Sequence, residues 1–176
     1  PARRWPARPH RRLVKNVTDT LQNPFGFQEL CAAFVPGDGD ANADLPVIGD
    51  NPRVHGGAKS GIPFTGPPAA ERFQSALVAG GLLGEAGTPP TVEKTYLSYL
   101  YMCGDRDPTD EDYADHEPMF DTEVRSITSH VLFPVGERAT EHVFANMTSE
   151  RPETVDMERH HATEVRGSGW LVYPVK

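Results

Sequence analysis

The stretch VIGDNPRVHGGAKSGIPFTG, residues 47–66, holds the densest set of residue types able to do chemistry. An apolar run from Leu45 to Ile48 ends at Gly49 and delivers Asp50 and Asn51 side by side, as expected of a buried strand running into a loop. A carboxylate can take a proton from water, whereas an amide can orient water but is a poor base. Pro52 stiffens the turn, and the glycines after it permit close backbone approach to a ligand. His55 lies in the same loop and can contact a phosphate. Phe64 stands between Pro63 and Thr65, just ahead of a helix. Each residue also has a purely structural use: Asp50 or Asn51 in an Asx turn, His55 as an exposed loop histidine, Phe64 as core.

Other clusters carry less. GDGDANAD puts Asp38, Asp40 and Asn42 at alternate positions, but Ala43 and Gly49 stand where a calcium loop needs Gly and Glu. His160 and His161 in HHATE do not form HExxH. There is no GxxxxGK[ST] phosphate loop and no GxSxG nucleophile elbow. Cys31 and Cys103 lack a close ligand pair such as CxxC, so they read as small buried residues, with no metal and no cofactor expected.

The elements that must position the loop alternate in type. Pro67 and Pro68 open a helix with Phe73 and Leu77 four apart, closed by Gly80-Gly81. Thr95 to Met102 is a second strand, rich in aromatic and aliphatic residues. Thr109 is an N-cap, followed by Asp110, Glu111 and Asp112 at the positive end of a helix dipole. Tyr113, Phe120, Val124 and Ile127 make that helix's apolar stripe. HVLFPVG is a third strand, ERATEHVF a short helix and GSGWLVYPV a fourth strand. Such alternation implies a parallel sheet with helices on both faces and ligands at the carboxyl ends of the strands, after Ile48, Met102, Val135 and Val175.

The 176 residues suit one compact domain. An irregular basic arm is expected over 1–24 and the domain over 25–176. Residues 1–15 carry a formal +6, which leaves −14 for the rest of a chain whose net charge is −8. A domain so acidic repels nucleic acid in ordinary salt. Four lysines against thirteen arginines and 25 acidic residues suit a protein working in concentrated salt, where self-repulsion is screened; an ordinary acidic protein is the alternative. No apolar run approaches the roughly 20 residues of a membrane span, and the N-terminal arginines precede no signal-like apolar stretch, so no membrane partner is expected. Two cysteines make no disulfide scaffold, and a reducing cytoplasm is the expected setting.

IGDNPR followed by GIPFTG resembles the first motif of the uracil-DNA glycosylase superfamily, whose iron–sulfur branch reads GEAPG, a loop, then GxPFVG and a helix. YLYMC with PTDEDYADHEPMFDTEVRSI, VLFPVGERATEHVF and VRGSGWLVYPV resemble later stretches of that superfamily in the same order, so the likeness runs from Phe34 to Lys176. The resemblance implies a haloarchaeal member: a three-layer α/β/α fold with a four-stranded, mainly parallel sheet in the order 2-1-3-4. It also implies a monomeric DNA repair enzyme hydrolysing the N-glycosidic bond of a flipped-out uracil or related damaged base. Asp50 then falls at the branch's Glu, stabilising the sugar cation or polarising water. Asn51 falls where the mismatch-specific branch, GINPG, has its water-holding Asn. Phe64 matches the Phe that stacks on the base, worth about 1–3 kcal/mol. Backbone groups near Gly49 would touch the base. Tyr99, or Ser98 in the adjacent register, lies where the family reads uracil's edge with an Asn, and Arg53 where the classical branch, GQDPY, has a Tyr that excludes thymine. His55 would contact a phosphate or the leaving base, Lys59 with Arg53 would form a basic face, and Gly136 and Arg138 would meet DNA phosphate.

This sequence also departs from the pattern. A phenol at Tyr99 cannot mimic the paired donor and acceptor of an amide. The iron–sulfur branch uses four cysteines; Cys103 matches one, His116 occupies another and Cys31 remains, so no cluster is expected. The family's His-containing motif follows its last strand, whereas His160 and His161 precede it and the given sequence reaches only Lys176. Either the native sequence continues past Lys176 with that motif, or the protein lacks a preorganised charge stabiliser, a loss of about 3–4 kcal/mol by analogy with oxyanion-hole donors. The second case makes the runner-up a non-catalytic DNA- or nucleobase-binding module on the same fold. A small sugar- or nucleotide-binding α/β protein unrelated to repair is the third expectation.

Overall fold

A computed structural model describes residues 21–176. Most of the expected basic arm, 1–24, lies outside the described residues. Those of its residues that are described are tied to the domain: Gln22 bridges Asp38, and the Asn23 amide donates to the Gly37 carbonyl at 2.9 Å.

The strands β1 (Leu45–Gly49) and β2 (Thr95–Tyr99) pair in parallel and are buried along their whole length. That is why both read as near-continuous apolar runs rather than alternating ones. β2 lies at the sheet edge, where Asp38 exchanges backbone hydrogen bonds of 2.9 and 2.8 Å with Leu97 and covers it. β3 (Val131–Pro134) adds in parallel to the other side of β1. Beyond it the expected four-stranded order is corrected. β4 (Val165–Arg166) and β5 (Leu171–Val172) form an antiparallel hairpin, and the sheet has five strands in the order β2-β1-β3-β5-β4. Two residues are too few to show a period, and the turn between these strands uses Gly169 at φ +91°, so the hairpin reads in sequence as one strand with a lead-in.

Successive side chains of β1 face opposite layers. Val47 packs with Phe64, Leu97, Tyr99 and Leu77 of α2 (Pro68–Ala79). Ile48 packs with Leu132, Phe120 of α3 (Asp110–Ser126) and Val143 and Phe144 of α4 (Glu137–Met147). Each such side chain contributes about 1.5–3 kcal/mol on burial. Thr109 caps α3 in a reciprocal capping box with Asp112. Among the described residues no helix is long and apolar enough to cross a membrane.

Cys31 and Cys103 were expected as separate small residues; they are instead joined in a disulfide across 72 positions of sequence. The bond fastens the segment before β1 to the loop after β2. The chain leaves β1 toward β2, and the connection from β2 through α3 to β3 passes back over β1. The connections leaving β1 and β3 therefore run in opposite directions from their paired carboxyl ends, the topological switch point at which such sheets bind ligands.

Candidate active site

β1 ends by placing Asp50 at this switch point. Its carboxylate accepts a hydrogen bond from the Tyr113 hydroxyl of α3. Asn51 is 3% exposed and caps a single helical turn, α1 (Pro52–His55), its Oδ1 accepting from the backbone N–H groups of Arg53 (2.9 Å) and Val54 (3.2 Å). Its amide nitrogen donates to the Tyr113 hydroxyl at 3.3 Å. The Asx-turn use and the placement beside Asp50 thus coexist: Asn51 builds the turn, and through Tyr113 it shares a partner with the carboxylate. Its Oδ1 already accepts two hydrogen bonds, so among the described residues it is the second N–H of the amide that remains to meet a water.

α1 carries His55 back over the aromatic residues. Its ring is stacked on Tyr99 (centroids 6.1 Å apart, 17° between planes) and lies 5.5 Å from the Phe64 ring. Behind it Phe64 is 1% and Tyr99 0% exposed. The Tyr99 hydroxyl accepts from the Phe64 amide at 2.7 Å and donates to the Gly56 carbonyl at 2.8 Å, so its one donor is already used. Phe64 holds a left-handed backbone, φ +56°, which lets its amide face Tyr99. Gly49 is required here: a Cβ would stand 2.7 Å from Tyr99 Cε1 and 2.8 Å from Phe64 Cζ. Ser98, the other register considered for Tyr99's role, faces the opposite layer and donates to buried Glu123.

His55 and Asp50 share a cleft of about 440 Å³ with Val54, Gly136, Glu137 and Arg138. Gly136 opens α4 at φ +86°, its amide held by the Val175 carbonyl at 2.8 Å. Gly136, Glu137 and Arg138 line the cleft, so the amino end of α4 borders it. Burial pushes the His55 pKa down, against the opposing pull of Asp50 and the Val135 backbone, which favours the neutral ring. Its Nε2 is buried with no hydrogen-bond partner among the described residues. Arg138 lies 3.8 Å above the Tyr113 ring and pairs with Asp110 at 2.7 Å. Burial and its bond to Asp50 raise the Tyr113 pKa, so the phenol stays a donor to that carboxylate.

Arg53 and Lys59 lie elsewhere, on a neighbouring cavity of about 600 Å³ formed by the glycine-rich loop; among the described residues no carboxylate lines it, although Arg53 pairs with Asp107 at 2.6 Å. The structure therefore separates the sequence-derived candidates. Asp50, His55, Gly136 and Arg138 meet in one cleft, Gly49, Phe64 and Tyr99 are closed in behind His55, and Arg53 and Lys59 face the second cavity. Tyr113 escaped notice because it reads as one more residue of α3's apolar stripe; only the tertiary fold brings its hydroxyl to Asp50 and Asn51.

The fold is α/β, with a cleft at the switch point of a mostly parallel sheet. A family model described as the uracil-DNA glycosylase superfamily matches residues 36–174. The chain belongs to that superfamily. No curated protein matches it. The four-thiolate cradle of the iron–sulfur branch does not fit here: the sequence has two cysteines, and they are bonded to each other.

Proposed function

We propose that this protein removes uracil or a related damaged base from DNA by hydrolysing its N-glycosidic bond, and that the Asp50 cleft is where the bond is cut. The observation that carries this is the position of Asp50: a carboxylate at the switch point, oriented by Tyr113, opening onto a cleft that a helix N-terminus also borders. Water attacks the anomeric carbon as the bond to the base nitrogen breaks. Asp50 stabilises the cationic sugar and takes the proton of the attacking water. The departing base carries the electron pair of the broken bond, and the amino end of α4 and the His55 ring, which border the cleft, are the groups that would stabilise it. Arg53 and Lys59, on a cavity where no carboxylate stands among the described residues, suit the DNA backbone better than the cleft itself, which Glu137 and Glu141 make acidic. The lysine-poor acidic composition fits a protein acting in concentrated salt, where base capture outweighs phosphate attraction.

A second reading, DNA or nucleobase binding without excision, is favoured by one observation: Phe64 and Tyr99 are shut in, and a base reaches Phe64 only if His55 moves. Incubating the protein with deoxyuridine-containing oligonucleotides, single-stranded and duplex, at low and high salt separates the two. Excision gives free uracil and alkali-labile abasic sites. Retention of the oligonucleotide with no free base at any salt concentration selects the binding module and overturns excision.

A further inference from the structure

The Asp50 cleft does not end at Arg138. A second cavity, of about 270 Å³, shares Arg138 and Glu141 with it and runs on between α3 and α4. Its floor is one face of α4, where Arg138, Glu141, His142 and Ala145 stand at helical spacing. Leu100, just after β2, and Pro152, which opens the 3₁₀ turn Pro152–Thr154, are its apolar walls. Among the described residues two buried side-chain polar atoms lack a hydrogen-bond partner, His55 Nε2 and His142 Nε2. Buried orphans of this kind are rare enough to need a reason. Here one of the two residues lines each cavity. Burial lowers the His142 pKa and Arg138 adds to that, against the pull of Glu117 and Asp121, so the ring is neutral. With its hydrogen on Nε2 it is a donor.

Charge and size decide what the second cavity takes. Arg138 is already paired with Asp110 at 2.7 Å, while Glu141 has no ion pair among the described residues. A phosphate is therefore disfavoured there and a neutral ring is not. The volume falls below the roughly 300 Å³ at which sites for larger ligands begin, which leaves room for one ring system. A carboxylate acceptor and an imidazole donor in the same lining match the amine and adjoining ring nitrogen of cytosine or adenine, whereas thymine presents a carbonyl oxygen and an N–H. We propose that this cavity seats the base of the nucleotide next to the one cut, on the same strand, and prefers cytosine or adenine there. The proposal rests on the reading of the Asp50 cleft as the excision site, with which the cavity is continuous. The sugar–phosphate link between the two bases passes over Arg138, which both cavities share. His142 and Glu141 then set the sequence context without touching the bond that is cut.

The test is fluorescence anisotropy of the full chain with labelled single-stranded oligonucleotides carrying 2′-fluoro-deoxyuridine, whose fluorine resists excision by destabilising the sugar cation. Cytosine, adenine, thymine or an abasic spacer stands on its 5′ or its 3′ side. On one side, cytosine and adenine are expected to bind about 3- to 10-fold more tightly than thymine or the spacer; on the other, all four should bind alike. His142→Ala and Glu141→Ala should each bring that ratio to within about 2-fold of unity. The ratio is read rather than the affinity, because loss of a carboxylate strengthens the binding of every oligonucleotide. Circular dichroism identifies a variant that fails to fold, and Glu141→Ala, at a partly exposed position, serves where His142→Ala does. No binding, equal affinities on both sides, or a preference that survives both variants overturns the proposal, even where uracil is released from ordinary deoxyuridine. A preference that the variants lose, in a protein that releases no uracil, upholds the seat and overturns excision alone.

Discussion

Glu123 of α3 is 1% exposed, and among the described residues no cation neutralises it. Its Oε1 accepts from the Tyr96 hydroxyl at 2.8 Å and its Oε2 from the Ser98 hydroxyl. Those bonds and the Gly37 backbone favour the carboxylate, but burial outweighs them and pushes the pKa from 4.5 up to about 7. The folded protein therefore binds a proton at Glu123 that the unfolded chain has already released. The stability this confers is fully present below pH 4.5 and is lost as pH rises through about 7. One pKa unit is worth about 1.4 kcal/mol, so the whole change amounts to about 3 kcal/mol. Glu123→Gln keeps the shape and can still accept from one hydroxyl and donate to the other, but it cannot ionise. Urea unfolding of both proteins from pH 4.5 to 8 at fixed ionic strength reads the difference. The variant should gain about 3 kcal/mol relative to the parent across that range, a shift of about 1.5 M in midpoint for a slope of roughly 2 kcal/mol/M. Asp38, whose pKa burial raises to about 6, contributes a slope of the same sign and is common to both proteins. Parallel pH profiles would refute the assignment of a buried proton to Glu123.

Gly49→Ala forces a methyl group against Tyr99 and Phe64 and should destabilise the fold by about 1–3 kcal/mol, seen as a lower thermal midpoint; an unchanged midpoint would mean that the rings yield freely. Cys31→Ser removes the closure of a 72-residue segment. It should cost about 4 kcal/mol under oxidising conditions and almost nothing in reducing buffer, measured by urea unfolding. Tyr113→Phe removes the donor to Asp50 and the acceptor for the Asn51 amide. A lost hydrogen bond to a charged group, about 1.5–3 kcal/mol, corresponds to a fall of about 10- to 100-fold in single-turnover base release, with DNA affinity held.

Local chemistry made much of the fold legible. The apolar runs of β1 and β2, the Pro67-Pro68 start of α2 and the Thr109 cap each state their structure within a few residues. The β4–β5 hairpin stayed hidden because each strand is two residues long, and the disulfide because its partners are 72 positions apart. At the candidate site, the strand-to-loop junction marks Asp50 and Asn51 as neighbours by type and position, and the fold gives both a hydrogen bond to the Tyr113 hydroxyl. Whether Phe64 and Tyr99 face a ligand or the core depends on where His55 packs, and no local pattern encodes that contact. Tyr113 shows the same limit: its helical spacing marks a core stripe, while its hydroxyl serves the far end of β1.

The most direct test is single-turnover release of free uracil from a deoxyuridine oligonucleotide by the native sequence and by Asp50→Asn, with DNA affinity measured in parallel. Removal of the carboxylate should slow release by about 10²–10⁴-fold while binding stays within a few-fold. Equal rates for the two proteins would place the chemistry outside the Asp50 cleft.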